Sequence, residues 1–202
     1  MNITIPEGDF EAFIFDCDGT LVDSMPLHHR AWRAAFHHHD APFDFDEETF
    51  YAHAGVPDLE IVRRLNERHG CSLDGHSIDS FKHDYFMEEL HTLETVAAIE
   101  TIARDYHGKL PFAVASGSAL ELVEPSLKHT NLFHLFDTIV TIEMVEHGKP
   151  APDMFLLCAD RLNVRPEACL VFEDGQAGIQ AATAAGMPSV FVPRPGHQTF
   201  TP

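Results

Sequence analysis

Basic residues are scarce in this chain of 202 residues: 13 Lys and Arg stand against 32 Asp and Glu, a formal charge of −19 at pH 7. A field of that sign repels polyphosphate backbones and anionic headgroups, so neither nucleic acid nor a membrane surface is expected as a partner. Cysteine is sparse as well. Cys17, Cys71, Cys158 and Cys169 form no CxxC pair and no Cys/His zinc spacing, which leaves reduced thiols as the expectation. No apolar run approaches the roughly 18 residues that span a bilayer. Met1 to Phe10 lack the basic start and long apolar stretch of a secretory leader, so a cytoplasmic protein is expected. Internal repeats, low-complexity tracts and long linkers are missing too.

What is present is an ordinary globular composition, with 45% hydrophobic and 22% charged residues, and a length suited to one domain plus an insertion. Ala12-Phe13-Ile14-Phe15 is a short continuous apolar run, the pattern of a strand covered on both faces. The pattern returns at Pro111–Ala115, Thr138–Thr141, Ala168–Phe172 and Ser189–Val192. Helix-like stretches separate these runs, which implies βα units, right-handed crossovers and a parallel sheet. Pro152 opens a helix whose Phe155, Leu156, Ala159 and Leu162 recur at helical spacing, with Asn163 as its stop. Gly178 to Ala185 predicts another, ended by Gly186. Pro125 predicts a kink or a late start in a helix over Ala119 to Lys128.

From about Ser24 to about His91 the alternation stops. This stretch is rich in His, Glu and Arg, with helical patterning at Trp32, Ala35 and Phe36 and again at Leu59, Val62, Arg63 and Leu65. It predicts a small helical domain, residues 24–91, inserted into an α/β core of residues 1–23 and 92–202.

Ligands of open α/β sheets bind beyond the carboxyl ends of the strands, so the residues following each strand carry the chemistry. The first strand is followed by Asp16-Cys17-Asp18-Gly19-Thr20, the second by Ser116-Gly117-Ser118, the third by a loop to Lys149, and the fourth delivers Glu173-Asp174-Gly175. One hydroxyl, one ammonium and four carboxylates would converge on one sheet edge. Clustered carboxylates repel unless a hard cation neutralises them, and Mg²⁺ takes a few carboxylate oxygens while keeping water and a phosphate oxygen as its other ligands. A carboxylate beside that ion can attack phosphorus. Ser116 and Lys149 would then serve the equatorial oxygens, over which charge spreads during phosphoryl transfer.

Phe15-Asp16-Cys17-Asp18-Gly19-Thr20-Leu21-Val22-Asp23-Ser24, Ser116, Gly148-Lys149-Pro150-Ala151-Pro152-Asp153 and Phe172-Glu173-Asp174-Gly175-Gln176-Ala177-Gly178-Ile179 resemble, in order, the four motifs of the haloacid dehalogenase-like (HAD) superfamily. Within it the chain resembles the β-phosphoglucomutase-like branch, and there the bacterial sugar phosphatases acting on fructose 1-phosphate and 6-phosphogluconate. The resemblance implies a Rossmann-like parallel-sheet core with an inserted α-helical cap that closes over the cleft and sets substrate choice. It implies Asp16 as nucleophile and Asp18 as general acid/base. Mg²⁺ would be held by Asp16, the backbone carbonyl of Asp18 and Asp174, with Glu173 as ligand or neighbour. Ser116, Gly117 and Lys149 would bind phosphate, and His28 would act from the cap in positioning Asp18. The expected partner is a small phosphorylated metabolite, and the expected state is a monomer.

A mutase must clamp a second phosphate, which asks for fixed cations. After Gly55-Val56, where the mutases carry Arg, this chain has Pro57-Asp58, and after Ser118, where they carry Lys-Asn, it has Ala119-Leu120. Hydrolysis of a monophosphate is therefore the preferred expectation. A β-phosphoglucomutase, a phosphoglycolate-type phosphatase and a catalytically silent ligand-binding protein are the alternatives. Arg63 or Arg64 could replace the missing clamp. His37-His38-His39 cannot share one tetrahedral ion, since successive helix residues point about 100° apart, and a solvated helix end is expected there. Trp32, Phe36 and Phe43 are expected in the core of the helical insertion, and Cys17 in the sheet packing.

Overall fold

The computed structural model describes residues 3–53 and 55–194. Five strands, β1 (Ala12–Phe15), β2 (Phe112–Ser116), β3 (Thr138–Thr141), β4 (Cys169–Glu173) and β5 (Ser189–Phe191), form one wholly parallel sheet in the order β3-β2-β1-β4-β5. The expected parallel α/β sheet is thus observed, as a Rossmann-like doubly wound core. β1, β2 and β4 are buried along their whole length, whereas β3 and β5, at the edges, are partly open. That difference follows from position, because only an inner strand of a doubly covered sheet needs an unbroken apolar run.

Side chains alternate across the sheet and make its two faces unlike. One face is aromatic: the Phe15 and Phe172 rings stack at 4.8 Å and those of Phe13 and Phe112 at 5.9 Å. The other is built from small and aliphatic residues, Ala12, Ile14, Ala113, Ala115 and Val171. Against it pack Phe155 and Ala159 of one helix (Asp153–Leu162) and Ala181 and Ala182 of another (Gln176–Ala184). The first of these stops at Asn163, which adopts the left-handed conformation, as its place in the pattern predicts. The helix Leu120–His129 carries Pro125 inside it and starts on time, so the late start is not observed. Ala97–Tyr106 completes the α-helices among the described residues of this unit.

The chain divides into two compact units: one gathers the stretch up to Asp23 and that from Leu93 onward, the other is Ser24–Thr92. The second is helical, with α1 (Met25–His38), α2 (Glu47–Ala52), α3 (Asp58–His69) and α4 (Gly75–Glu89). Trp32, Phe36, Phe45, Ile61, Val62, Leu65 and Ile78 form its core, and Phe43 packs against it. His37 and His38 lie exposed in the last turn of α1. Asp46 and Asp74 cap α2 and α4 by accepting backbone N–H bonds from Thr49 and His76. α4 escapes a sequence reading because one of its inward positions is a lysine. Lys82 is buried, ion-paired with Asp58 and held 4.8 Å from the centre of the Trp32 ring. Among the described residues, no helix is long and apolar enough to cross a membrane.

Candidate active site

In this strand order the chain turns one way from β1 to β2 and β3, then crosses back to β4 and β5. The crevice of such a sheet opens where the order reverses, between the carboxyl ends of β1 and β4. Phe15 is in register with Phe172, so the next residues of both strands, Asp16 and Glu173, emerge side by side. The Asp16 amide donates to the Phe172 carbonyl at 2.9 Å, which extends the ladder into the site.

Lys149 joins them from the loop after β3. Its Nζ donates to Asp16 Oδ1 at 2.6 Å and to Glu173 Oε2 at 2.7 Å. Glu173 Oε1 accepts from the Gly175 amide at 2.9 Å. The Glu173 side chain runs over Gly178 so closely that a Cβ there would lie 2.0 Å from its carboxyl carbon. Gly178 is therefore required by contact and not by backbone angle. Gly19 is required by both: its φ is +87°, and a Cβ would lie 2.5 Å from Asp174 Oδ2. Asp174 accepts from Thr20 Oγ1 at 3.4 Å and from Arg194 Nε at 3.2 Å.

Asp18 has a different setting. Its Oδ2 accepts from Ser116 Oγ at 3.2 Å and from Ser118 Oγ at 2.7 Å, and Ser116 Oγ in turn accepts from the Ser118 amide at 3.0 Å. The Ser116 hydroxyl is fully buried and engaged with Asp18. Gly117 lies at the exposed turn between the two serines. Cys17, between the two aspartates, is buried, and with its surroundings and both aspartates disfavouring a thiolate its pKa is driven well up.

The electrostatics of the set follow from burial. Asp16 is pushed up to about 7, first by desolvation and then by Glu173, against the opposing pull of Lys149. Asp174 is also pushed up to about 7, by desolvation and by Asp16, with Arg194 pulling the other way. Burial raises Glu173. Burial works against the Lys149 ammonium, but Asp16 and Glu173 outweigh it and hold the group above the ordinary lysine range. Three carboxylates thus crowd a site whose cations do not fully balance them. Asp16, Glu173 and Asp174 each offer an oxygen within 4.8 Å of the others. An all-oxygen, acidic donor set of this kind fits a hard divalent cation, whose charge supplies what Lys149 and Arg194 leave uncovered.

The site residues expected in the α/β unit lie at the carboxyl ends of the strands, Ser116 as the last residue of β2 and Glu173 as the last of β4, or on the segments that follow β1 to β4, as do Asp16, Asp18, Gly117, Lys149 and Asp174. His28 belongs to the helical unit, where it is buried and its ring stacks on Phe86 at 4.5 Å. Arg63 is committed to Glu60 and Glu67, and Arg64 to Glu60, all on α3. Two participants are missed by a sequence reading. Ser118 is hidden beside Ser116, which already fills the motif position. Arg194 follows β5, and the same rule that singles out the residues after the other strands would have found it.

The family model for haloacid dehalogenase-like hydrolases matches residues 10–186. Among curated proteins, the fructose-1-phosphate phosphatase YqaB of Escherichia coli is 38% identical, over 91% of this chain and 96% of its own. The 6-phosphogluconate phosphatase of Escherichia coli is 30% identical, over 88% of this chain and 80% of its own. Among solved structures, CbbY from Rhodobacter sphaeroides in complex with phosphate superposes with a TM-score of 0.83 at 26% identity, covering 95% of this chain and 90% of that one.

Proposed function

The chain belongs to the haloacid dehalogenase-like hydrolase family, and on that premise we propose that it hydrolyses a small sugar phosphate, with Asp16 as nucleophile and Asp18 as general acid/base. The observation that carries the reading is the convergence of Asp16, Asp18, Lys149, Glu173 and Asp174 at the crevice between β1 and β4, each held by a named partner. An Asp16 oxygen bonds to phosphorus as the bond from phosphorus to the sugar oxygen breaks, and Asp18 gives that oxygen its proton. Asp18 then takes a proton from water, the water oxygen bonds to phosphorus, and the aspartyl phosphate parts to inorganic phosphate and a restored Asp16. The serine hydroxyls on Asp18 fix the orientation from which it passes the proton both ways. Lys149 restrains Asp16 and offers positive charge to the phosphoryl oxygens. Ser116 and Gly117 are assigned to the same phosphate, and His28 to the substrate side. Asp16, the backbone carbonyl of Asp18 and Asp174 would hold Mg²⁺, with Glu173 beside them. When bound, the ion neutralises charge on the phosphate and on the carboxylates.

The curated names support a phosphorylated sugar as the substrate class. Asp58 supports hydrolysis over mutase action. The position where a mutase needs a cation carries a carboxylate already engaged with Lys82, and Arg63 and Arg64 are spent within α3. We assign the enzyme to the cytoplasm, acting as a monomer on a small metabolite and on neither nucleic acid nor membrane.

The test is phosphate release from a panel that includes fructose 1-phosphate, 6-phosphogluconate and phosphoglycolate, with Mg²⁺ and with EDTA. β-Glucose 1-phosphate with β-glucose 1,6-bisphosphate is run alongside. Mg²⁺-dependent release from one or more sugar phosphates without isomerisation is expected. Isomerisation faster than release would replace the reading with a mutase, and inactivity in every assay would replace it with a silent binder.

A further inference from the structure

Arg194 has no part in the reaction as written, yet it contacts one of its carboxylates. It lies three residues beyond β5, its side chain is one-quarter exposed, and its Nε donates to Asp174 Oδ2 at 3.2 Å. The other oxygen of Asp174 accepts from Thr20 Oγ1 at 3.4 Å. Beneath the carboxylate lies Gly19, with no room for a Cβ. Asp174 is therefore held at both oxygens and from one side. A carboxylate has about four lone-pair positions, so two such bonds fix its rotation and still leave positions for another ligand. Lys149 does not do this work, because its two bonds go to Asp16 and Glu173. The restraint on Asp174 is thus separate from that on Asp16 and Glu173, and is shared between the loop after β1 and the chain after β5.

We propose that Arg194 is a positioning residue that sets the rotation of the Asp174 carboxylate and so sharpens the divalent-cation site. The proposal rests on the reading above, that Asp174 is a ligand of that cation. It opposes a simpler expectation: a positive charge beside a cation site repels the ion, and its removal would tighten binding.

The experiment is Mn²⁺ binding to the full-length protein, followed by the loss of the free-ion electron paramagnetic resonance signal, for wild type, R194A, R194M, R194K and D174N. Partners that hold a metal ligand in place cost about 10- to 100-fold in affinity when removed, and a Kd raised by that factor is expected for R194A. R194M, which keeps the length of the side chain without a donor, is expected to do the same and serves if R194A does not fold. R194K keeps charge and a single donor and is expected to recover part of the loss, which a mere anchor for the chain end would not produce. Binding in R194A and R194M equal to wild type or tighter, with D174N abolishing it, overturns the positioning role. Wild-type binding in D174N overturns the cation-site reading itself.

Discussion

On α3 and at the crevice one cation stands between two carboxylates, and the two sets behave in opposite ways. On α3, Arg63 reaches Glu60 at 2.6 Å and Glu67 at 2.5 Å on an exposed helix face. At the crevice, Lys149 reaches Asp16 at 2.6 Å and Glu173 at 2.7 Å. The distances match, but Glu60 falls to about 2, under its bonds to Arg63 and Arg64, whereas Asp16 rises to about 7. Geometry does not separate the two sets. Burial does: water stabilises every charge on α3, so the bonds to arginine only add to it, while at the crevice each charge has lost its water and one lysine cannot replace it for two carboxylates and their acidic neighbours. A surface triad of this type is an ornament of a solvated helix, and the buried one is a site short of positive charge.

The largest break in that comparison is D16N. It keeps the shape of the crevice and removes the proposed nucleophile, so turnover is expected to fall by roughly 10⁴-fold or more with the circular dichroism spectrum unchanged. A variant that turned over at the wild-type rate would end the assignment. Next is K149M, which leaves two buried carboxylates without their cation. A loss of about 3–5 kcal/mol is expected near pH 8, seen as a Tm lower by roughly 10 °C in a chain of this size. Near pH 5 the loss shrinks, because Asp16 and Glu173 can then take up protons.

A smaller effect sharpens the comparison through the cation. Asp16 and Asp174 hold protons in the folded state up to about pH 7, whereas unfolded carboxyls release theirs near 4. Between those values the folded state binds more protons, so the stability these groups contribute is present at the acid end and lost as the pH rises through about 7. A divalent ion held by these carboxylates would remove that penalty. The rise in Tm that millimolar Mg²⁺ produces over EDTA is therefore expected to be larger near pH 8 than near pH 5, and to be nearly absent in D174N. An equal rise at both values would show that the ion binds elsewhere. The smallest effect is that of R63A, where exposed pairs on a helix contribute little. Melting and turnover indistinguishable from wild type are expected, and a large change in either would mean that α3 is not the plain solvated face described here.

The legible parts of the structure share a physical cause. β1, β2 and β4 are inner strands buried on both faces, so their apolar runs are unbroken, and the acids that follow them are conspicuous against that background. Gly19 and Gly178 stand in the motifs because Asp174 and Glu173 occupy the space a side chain would need. The illegible parts share a cause as well. In α4 the apolar period is interrupted at Lys82, whose burial depends on Asp58 and Trp32 from other helices. Arg194 and Ser118 acquire their partners only when separate loops are brought together, so that their place after a strand marks them as candidates but not the carboxylates they meet. The seating of the Ser116 hydroxyl on Asp18 is likewise a product of tertiary contact between residues nearly one hundred positions apart.

The central place of β1 also bears on how the protein is made. It is the earliest of the five strands in the sequence, yet its second neighbour, β4, ends only at Glu173, after β2 and β3. About a hundred residues separate it from β2, a wait of roughly 5–20 s at ordinary rates of synthesis. Through that interval a fully apolar tetrapeptide waits with both edges unpaired, the condition under which strands find wrong partners. Asp16, the proposed nucleophile, is thus attached to a segment of the nascent chain in need of shelter, and variants that delay the arrival of β4 are expected to be lost to aggregation, read as a fall in soluble yield.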